Sequence, residues 1–460
     1  MDKPIHPLRI ANFRAYWFAR LAGTVAISAQ GIIIGWQVYG FARGELGYSI
    51  ERSASLLGLI GLVQFVPLFL LTPVVGLVAD SVDRRWIVRG TTALLTLNAL
   101  LLGALTWAGD LSLPFLFVAA GFVGVARAFS GPAYSALAPN LVPRESLPTA
   151  IAISTLAWQT GTIAGPSVGG LLYAIHPDVA YATIAILFVV ALALLMLIRP
   201  VPQPPAQTDR HPLQRIVDGF AYVKRNRLVL ATITLDLFVV LLAGATALLP
   251  IYARDILHVG AAGLGVLAAA MGVGAAGASL WFSVRPMTSN VGVKMLVAVA
   301  IFAVATLVFG TATLLTDAVG VTRVAAGPAL ARALASVGLA PTIAVDFVLS
   351  LVALIVAGAA DMVSVYVRSS LIQLHTPDTM RGRVSAVSQL TISASNELGE
   401  AESGLLASLL GPVGAVAVGG IGALVVTLAW SGLFPELRLA KTFDQPDMPD
   451  NDQPHGAVTT

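Results

Sequence analysis

The chain contains no cysteine among its 460 residues, and only 11% of its residues are charged. Without thiols it can form neither a disulfide nor a thiolate metal site. A soluble globular domain carries about 25% charged residues, whereas this chain is 57% apolar and has a mean hydropathy of +0.84. The shortage of charge therefore excludes a soluble protein and predicts one whose surface is largely covered by lipid.

The sequence also lacks the residue patterns of catalysis and of cofactor binding. It holds no nucleophile–base constellation, no phosphate loop and no metal cluster, and its six histidines are scattered. We therefore predict no enzyme, no cofactor and no bound metal. The net charge of +3 does not indicate a nucleic-acid partner, because the basic excess lies on short loops, as membrane orientation requires.

Twelve apolar runs follow one another along the chain, and a spanning helix needs about 20 apolar residues. The first run is too long for the hydrophobic region of a signal peptide, so we interpret it as a span. The sequence predicts an all-α membrane protein with twelve transmembrane helices in two pseudo-symmetric six-helix bundles. The predicted spans are 13–41, 54–79, 86–107, 114–137, 147–173, 179–198, 228–252, 261–282, 293–315, 347–374, 384–410 and 413–434.

The runs divide into two sets of six, which predicts four parts. Residues 1–198 form the first bundle, 199–227 a cytoplasmic linker, 228–440 the second bundle and 441–460 a disordered cytoplasmic tail. The linker opens with four closely spaced prolines, which stop a helix, and continues as a basic amphipathic segment that predicts a surface helix. We interpret residues 316–346 as an external excursion with some helix.

The stretch from Gly76 to Arg85 determines the predicted sidedness. It contains Asp80, Asp83 and Arg84 between two bilayer-length runs, so it cannot lie in hydrocarbon. Lysine and arginine accumulate on the cytoplasmic side of membranes. We therefore predict that this loop, both termini and most other basic residues, Arg368 among them, are cytoplasmic.

The two halves of the chain are related to each other. One constant offset in residue number places Gly124 on Gly358, Ser130 on Ser364 and Gly165 on Gly399. The same offset therefore relates spans 4 and 5 to spans 10 and 11. Repeated halves with a site at their interface near the midplane are typical of transporters.

Ionisable residues occur inside a few of the predicted spans. Each costs about 2.5–3.5 kcal/mol at mid-bilayer on insertion scales, so each needs a partner or a cavity. Arg127 and Asp361 occupy equivalent positions under the internal repeat, near the middle of their spans. They neutralise each other across a cavity, or flank a substrate, or form a fixed ion pair that only positions helices.

Span 11 has the highest density of polar residues. Glu400 shares a helical stripe with serines and an asparagine, and Glu397 lies on its flank. Neighbouring carboxyl groups in apolar surroundings can exchange protons near neutral pH, as coupling to a proton gradient requires. We predict a proton-coupling site, although these acids could equally form only hydrogen bonds between helices. Its members are Arg127, Asp236, Asp361, Glu397 and Glu400.

Uncharged polar and aromatic residues form a second candidate set. Gln30, Trp36, Gln37 and Gln64 lie within spans 1 and 2. They are candidates to line a cavity and contact the substrate, and helix packing accounts for each of them equally well.

Span 5 carries a glycine pattern. Gly161, Gly165 and Gly169 repeat every four residues, which leaves a smooth stripe that another helix can approach closely. Pro166 removes one backbone hydrogen bond and bends the helix, and Gly170 ends the pattern.

With these motifs the sequence resembles the major facilitator superfamily. Residues 76–85 resemble the superfamily's loop 2–3 signature, although Ser81 and Asp83 depart from it, and Arg127 with Gly131 resembles its span-4 signature. Residues 161–170 resemble the span-5 signature of the antiporter branch. Residues 368–410 resemble the bacterial branch that contains the enterobactin exporters.

The resemblance implies alternating access, in which two rocking halves expose a central cavity to each side in turn. By the same likeness, a cytoplasmic gate would contain Gly76, Asp80, Asp83, Arg84 and Arg85, with Asp80 meeting the start of span 11. The two arginines would pair with acids or lipid phosphates.

The function implied by the resemblance is proton-coupled export of a small amphipathic compound such as a siderophore or drug. The expected setting is the bacterial inner membrane, with both termini cytoplasmic. The expected partners are the substrate, protons and lipid, and the expected state is a monomer. Nutrient uptake by the same fold and a receptor that transports nothing are the alternatives.

Overall fold

The computed structural model describes residues 5–201, 212–285, 287–325 and 342–443. The first half forms α1 (Ala11–Gly44), α2 (Ile50–Ser81), α3 (Arg84–Ala108), α4 (Leu113–Leu137), α5 (Leu147–Ile175) and α6 (Pro177–Met196). Short 3₁₀ turns lie at Pro7–Arg9, Ala138–Leu141 and Arg144–Ser146.

The second half begins with α7 (Pro212–Arg225) and α8 (Arg227–Leu242), followed by a 3₁₀ turn (Ala245–Leu248), α9 (Leu249–Ile251) and a π-helical turn (Tyr252–Ile256). It continues with α10 (Gly260–Val284), α11 (Val291–Gly310), α12 (Ala312–Val319), β1 (Arg323–Ala325), β2 (Thr342–Ala344), α13 (Val345–Leu374), α14 (Asp378–Leu433) and α15 (Pro435–Leu439).

Among the described residues, ten helical segments are long and apolar enough to cross a membrane. One of them, α14, is interrupted at Gly411, whose φ of 73° suits glycine, and Pro412 follows it. We call residues 378–410 the first arm of α14 and residues 412–433 its second arm. Helix α5 has 29 residues but falls outside the ten, because glycine, threonine and glutamine dilute its apolar residues. With α5 and the two arms included, every predicted span overlaps one long helical segment.

The helices pack in two groups of six with matching contacts between them. In the first half α4 packs against α2 and α3, and in the second half its counterpart α13 packs against α10 and α11. Between the halves, α2 packs against the first arm of α14, and α5 packs against α10. The two interfaces are equivalent by the order of the spans in each half, because α2 and α10 are the second spans and α5 and the first arm of α14 are the fifth.

The hydrophobic core differs between the two ends of the bundle. We call the end with residues 45–49 and 257–259 the Asp255 end, and the end with residues 82–83 and 375–377 the Asp83 end. One continuous core cluster near the Asp255 end includes Tyr39 and Leu57 from the first half and Tyr252 from the second. Nearer the Asp83 end, the core clusters each contain residues of one half only. The two halves are thus packed together at the Asp255 end.

The predicted excursion at 316–346 contains the end of α12 and a two-stranded antiparallel hairpin. Arg323 pairs with Ala344, and Ala325 pairs with Thr342. The hairpin is a small departure from the all-α prediction. Three parts of the chain lie outside the described residues: 326–341, most of the proline-rich start of the linker, and most of the tail predicted to be disordered.

Candidate functional site

An ion pair joins the two halves in the middle of the bundle. The Arg127 guanidinium on α4 donates a hydrogen bond to the Glu397 carboxylate on the first arm of α14. Its Nη1 also donates to Gln64 Oε1 on α2, at 3.2 Å. The Glu397 side chain is only 2% exposed, whereas that of Arg127 is 44% exposed. One partner is therefore buried between helices and the other is open to its surroundings.

The predicted neutralisation of Arg127 by Asp361 is not found, because Glu397 takes that place. Among the described residues, Asp361 has no hydrogen-bonded or ion-paired partner. It lies seven residues before Arg368 on α13, which is about two helical turns. Glu400 lies about one turn after Glu397, and both are near the packed face of α2.

Two glycines of α2 bring it close to the acidic part of α14. A Cβ atom at Gly61 would lie 2.5 Å from Glu397 O and 2.8 Å from Glu400 Cβ. A Cβ atom at Gly58 would lie 2.9 Å from Gly404 Cα. Any larger residue at these two positions would push α2 and α14 apart. Sequence reasoning missed this contact, although the Gly58-x-x-Gly61 spacing is the signal that indicates it.

A second buried ion pair lies inside the second half. Asp236 on α8 and Arg368 on α13 form a salt bridge in which the two side chains are 8% and 7% exposed, respectively. The prediction that counted Arg368 among the cytoplasmic basic residues was wrong, because its guanidinium is buried against Asp236 rather than in a loop. Asp236 is therefore held by a fixed partner, unlike Asp361.

The glycine pattern of α5 forms two close helix contacts. Cβ atoms at Gly161, Gly165 and Gly169 would lie 2.5–2.7 Å from atoms of α1. The predicted close approach along this stripe is therefore confirmed. Gly170 points elsewhere, since its Cβ would lie 2.6 Å from Gly265 Cα on α10. The glycines thus pack α5 within its own half and also against the other half. Pro166 lies inside α5, within the same stretch.

The four candidate substrate-contacting residues have different surroundings. Gln37 Oε1 accepts a 2.5 Å hydrogen bond from the Tyr181 hydroxyl, and Trp36 packs against the shared core. Gln64 binds Arg127, as described above. The Gln30 amide is fully buried on α1, and its oxygen and nitrogen have no hydrogen-bond partner within the described part of the chain.

The basic residues of the predicted cytoplasmic gate bind within the first half. The Arg85 guanidinium pairs with Asp83, and the pKa of Asp83 is held below its usual range by these hydrogen bonds. Arg85 also donates to Ile198 O at 3.3 Å, and Arg84 donates to Ala136 O at 3.1 Å. These are carbonyls near the ends of α6 and α4, where helix dipoles favour cations. The side chains of Gly76 and Asp80 lie outside the described part of the structure.

A polar cluster joins the halves at the Asp255 end. Arg43 Nε on α1 lies 3.2 Å from the Asp255 carboxylate, and the Tyr39 hydroxyl donates to the same carboxylate. A Cβ atom at Gly40 would lie 3.0 Å from an Arg254 guanidinium nitrogen, so the Arg254 side chain of the second half reaches the backbone of α1. Sequence reasoning assigned no role to this cluster, because its members come from opposite halves and lie far apart along the chain.

Asp255→Asn is expected to increase the separation of the halves at the Asp255 end. The amide keeps the shape of the carboxylate but loses the charge that attracts Arg43, which should favour the separated state about fivefold, or roughly 1 kcal/mol. Because the chain has no cysteine, spin labels can be placed selectively with Glu45→Cys and Ala262→Cys. Double electron–electron resonance should then record a larger population at long distance.

The matched control is Asp178→Asn, which removes a 3.1 Å pair with His176 at the same end but within one half. This control should leave the distance distribution unchanged. An equal response of both variants would show that the Asp255 cluster does not hold the halves together.

Comparison with known proteins agrees with this architecture. The sequence model of a family described as transmembrane secretion effector matches residues 2–330. A protein named enterobactin exporter EntS from Citrobacter koseri is 28% identical over 455 residues, which cover 95% of each chain. The protein of the same name from Shigella dysenteriae serotype 1 is 27% identical over 438 residues, which cover 93% of this chain and 92% of the relative.

Solved transporter structures share the fold at low sequence identity. A POT family transporter in complex with 5-aminolevulinic acid superposes with a TM-score of 0.66 at 12% identity, over 92% of this chain and 96% of that one. The xylose transporter XylE from E. coli, in its inward open conformation, gives a TM-score of 0.63 at 14% identity, over 94% and 97% of the two chains. These similarities establish the fold.

The family match covers more than half of the chain, and the helix arrangement is that of solved transporters. The members of this family are membrane transporters and not enzymes. The chain belongs to the transmembrane secretion effector family of the major facilitator superfamily.

Proposed function

We propose that the protein is a proton-coupled exporter of a small amphipathic compound, such as a siderophore or drug, that works by alternating access. The proposed setting is the bacterial inner membrane, with both termini cytoplasmic and a monomer as the working unit. The proposed division keeps residues 1–198 and 228–440 as the two moving halves, joined by the linker at 199–227.

The ion pair of Arg127 and Glu397 is the single observation that carries the proposal. It connects α4 to α14, so its strength affects the position of one half relative to the other. A proton on Glu397 would cancel the charge that attracts Arg127. Proton binding and helix position would then be linked, which is what coupling requires. Glu400 and Asp361 are the further proposed proton carriers, and Asp236 has a structural role through Arg368.

The distribution of core clusters supports an orientation for this state. The halves share a core at the Asp255 end, where Arg43 also binds Asp255. The Asp83 end carries the basic residues that the sequence predicts to be cytoplasmic. We infer a conformation that is closed on the external side, with the gate of Gly76, Asp80, Asp83, Arg84 and Arg85 on the other side.

The proposed substrate class rests on the relatives. Two proteins that match almost the entire chain are named enterobactin exporters, and the glycine pattern of α5 resembles the antiporter signature. Gln30 is the proposed substrate contact, because its buried amide has no hydrogen-bond partner among the residues that the structure describes. Gln64 is proposed as a second contact, whereas Gln37 is hydrogen-bonded to Tyr181 and Trp36 packs against the core.

Transport into inverted membrane vesicles tests the proposal. Vesicles that contain the full chain should accumulate a siderophore or dye when their lumen is acidified, and collapse of the pH gradient should stop accumulation. Vesicles without the protein provide the baseline. Accumulation that does not depend on the pH gradient would rule out proton coupling. Uptake of the compound by intact cells, lost on deletion of the gene, would favour the nutrient transporter instead.

A further inference from the structure

Helix α7 is fixed along one side and uncovered along the other. On the fixed side, Asp218 forms a 3.2 Å ion pair with Arg383, and the Tyr222 hydroxyl donates to His375 O at 2.8 Å. Val223 is buried in a core cluster with α8 and α14. On the other side, Val217 is 63% exposed and Phe220 is 46% exposed. Half of the apolar face of α7 therefore has no covering within the described chain.

The uncovered side forms one wall of a cleft of about 460 Å³ between α7, α8 and α14. This volume is in the range that holds an extended small molecule, about 300–1,000 Å³. Apart from Lys224 and two threonines, the lining side chains are apolar. The cleft therefore offers almost no hydrogen-bonding partners and suits a hydrocarbon chain. Its lining residues are Val217, Phe220, Ala221, Val223, Lys224, Leu230, Ile233, Thr234, Leu237, Val387 and Thr391.

The charge at the cleft is positive. Lys224 contributes its side chain to the lining, and both Lys224 and its neighbour Arg225 are exposed. Basic residues beside transmembrane helices attract anionic lipid headgroups. A hydrocarbon cleft with a cation on its wall thus matches both parts of an anionic phospholipid.

We propose that this cleft binds an anionic phospholipid, with one acyl chain between α7, α8 and α14 and its phosphate bound by Lys224. Two segments that the structure does not describe adjoin this end of the bundle in sequence, one before α7 and one after α15, and both are poor competitors. Residues 326–341, which do contain leucine and valine, join β1 to β2 at the opposite, Asp255 end. Residues 202–211 contain no valine, leucine, isoleucine or phenylalanine, and residues 444–460 contain only one methionine and one valine as large aliphatic residues. Neither segment can supply apolar surface to fill the cleft.

The bound lipid would contact the helices that carry the two ion pairs. Thr391 lies six residues before Glu397 on α14, which is about 9 Å along a helix. Ile233, Thr234 and Leu237 flank Asp236 on α8. An acyl chain between these helices would fix α7 and α14 relative to α8, so transport would depend on anionic lipid. This consequence rests on the proposed function, whereas lipid binding itself does not.

Quenching by brominated lipids tests the binding directly. The full chain with Val217→Cys carries a bimane label at the exposed mouth of the cleft and is reconstituted into phosphatidylcholine nanodiscs. Brominated phosphatidylglycerol should reach half-maximal quenching at about a fivefold lower mole fraction than brominated phosphatidylcholine. Lys224→Gln should remove this preference, and Ala221→Trp, which fills the cleft, should also remove it.

Two controls share the chemistry of these variants but lie outside the cleft. A label introduced with Val297→Cys on the exposed side of α11 should show no headgroup preference. Lys294→Gln should leave the preference at position 217 intact. Equal quenching by the two lipids at position 217 would identify ordinary boundary lipid and overturn the proposal. Absence of quenching by either lipid would show that something else occupies the cleft and would overturn it as well.

Discussion

Asp236→Asn is expected to lower the free energy of unfolding by about 3–5 kcal/mol, which is the typical cost of removing one partner from a buried ion pair. Both side chains of the pair with Arg368 are buried. The substitution leaves a guanidinium between α8 and α13 without its counter-charge. Equilibrium unfolding in lipid–detergent micelles, followed by tryptophan fluorescence, measures the change.

The two single variants of this pair should differ in severity. An unpaired carboxyl group can bind a proton and become neutral, whereas a guanidinium remains charged at all accessible pH values. Arg368→Met should therefore be less damaging than Asp236→Asn. The double variant, which removes both charges, should recover much of the lost stability.

An exposed ion pair provides the matched control for this prediction. Arg227 Nε lies 2.6 Å from Glu436 Oε1, but the two side chains are 58% and 38% exposed. Arg227→Gln should cost no more than about 1 kcal/mol, because solvent screens the pair. If the buried pair proved no more important than the exposed one, the structural role of Asp236 would be refuted, and the residue would return to the candidate proton carriers.

The sequence predicted the helices well because long apolar runs have a physical reason to be helical. A backbone in lipid must satisfy its hydrogen bonds internally, and a helix does so within one segment. Both the spans and the glycine stripe of α5 could therefore be read from local patterns. The break in α14 was also visible, since Gly411 and Pro412 are adjacent.

The partners of the charged residues could not be predicted in the same way. Arg127 and Asp361 are equivalent under the internal repeat, but equivalence does not imply contact. Which charges meet is decided by how closely helices approach, and here Gly58 and Gly61 place α2 against Glu397. Arg368 was misplaced for a related reason. Its position near the end of an apolar run indicated a residue at the membrane surface, whereas its guanidinium is buried against Asp236 of α8.

The Asp255 cluster was beyond sequence reasoning altogether. Tyr39, Arg43 and Asp255 lie near the predicted ends of spans 1 and 7, where isolated charges are common on any membrane protein. Only the packing of the two halves brings them together. Contacts between the halves are therefore what a single sequence indicates least, even where it indicates the residues.

Glu397→Gln is expected to reduce the response of transport to a pH gradient by about 5- to 150-fold, the usual range of coupling between two linked sites. Glutamine keeps the length and hydrogen-bonding oxygen of the side chain, so Arg127 retains an acceptor. It cannot gain or lose a proton, and the charge that attracts Arg127 across the two halves is permanently absent. The variant should therefore exchange substrate between the two sides without being driven by the gradient.

Substrate counterflow and gradient-driven uptake, both in inverted vesicles, separate these two activities. Counterflow by Glu397→Gln should persist at a rate comparable to that of the unaltered protein, whereas gradient-driven accumulation should fall by about 5- to 150-fold. Glu51→Gln provides the control, because it makes the same chemical change at an exposed position at the start of α2. Full gradient-driven accumulation by Glu397→Gln, together with its loss in Glu400→Gln, would assign the proton to Glu400. The pair of Arg127 and Glu397 would then be a fixed connection between the halves, because its charge would not change during transport.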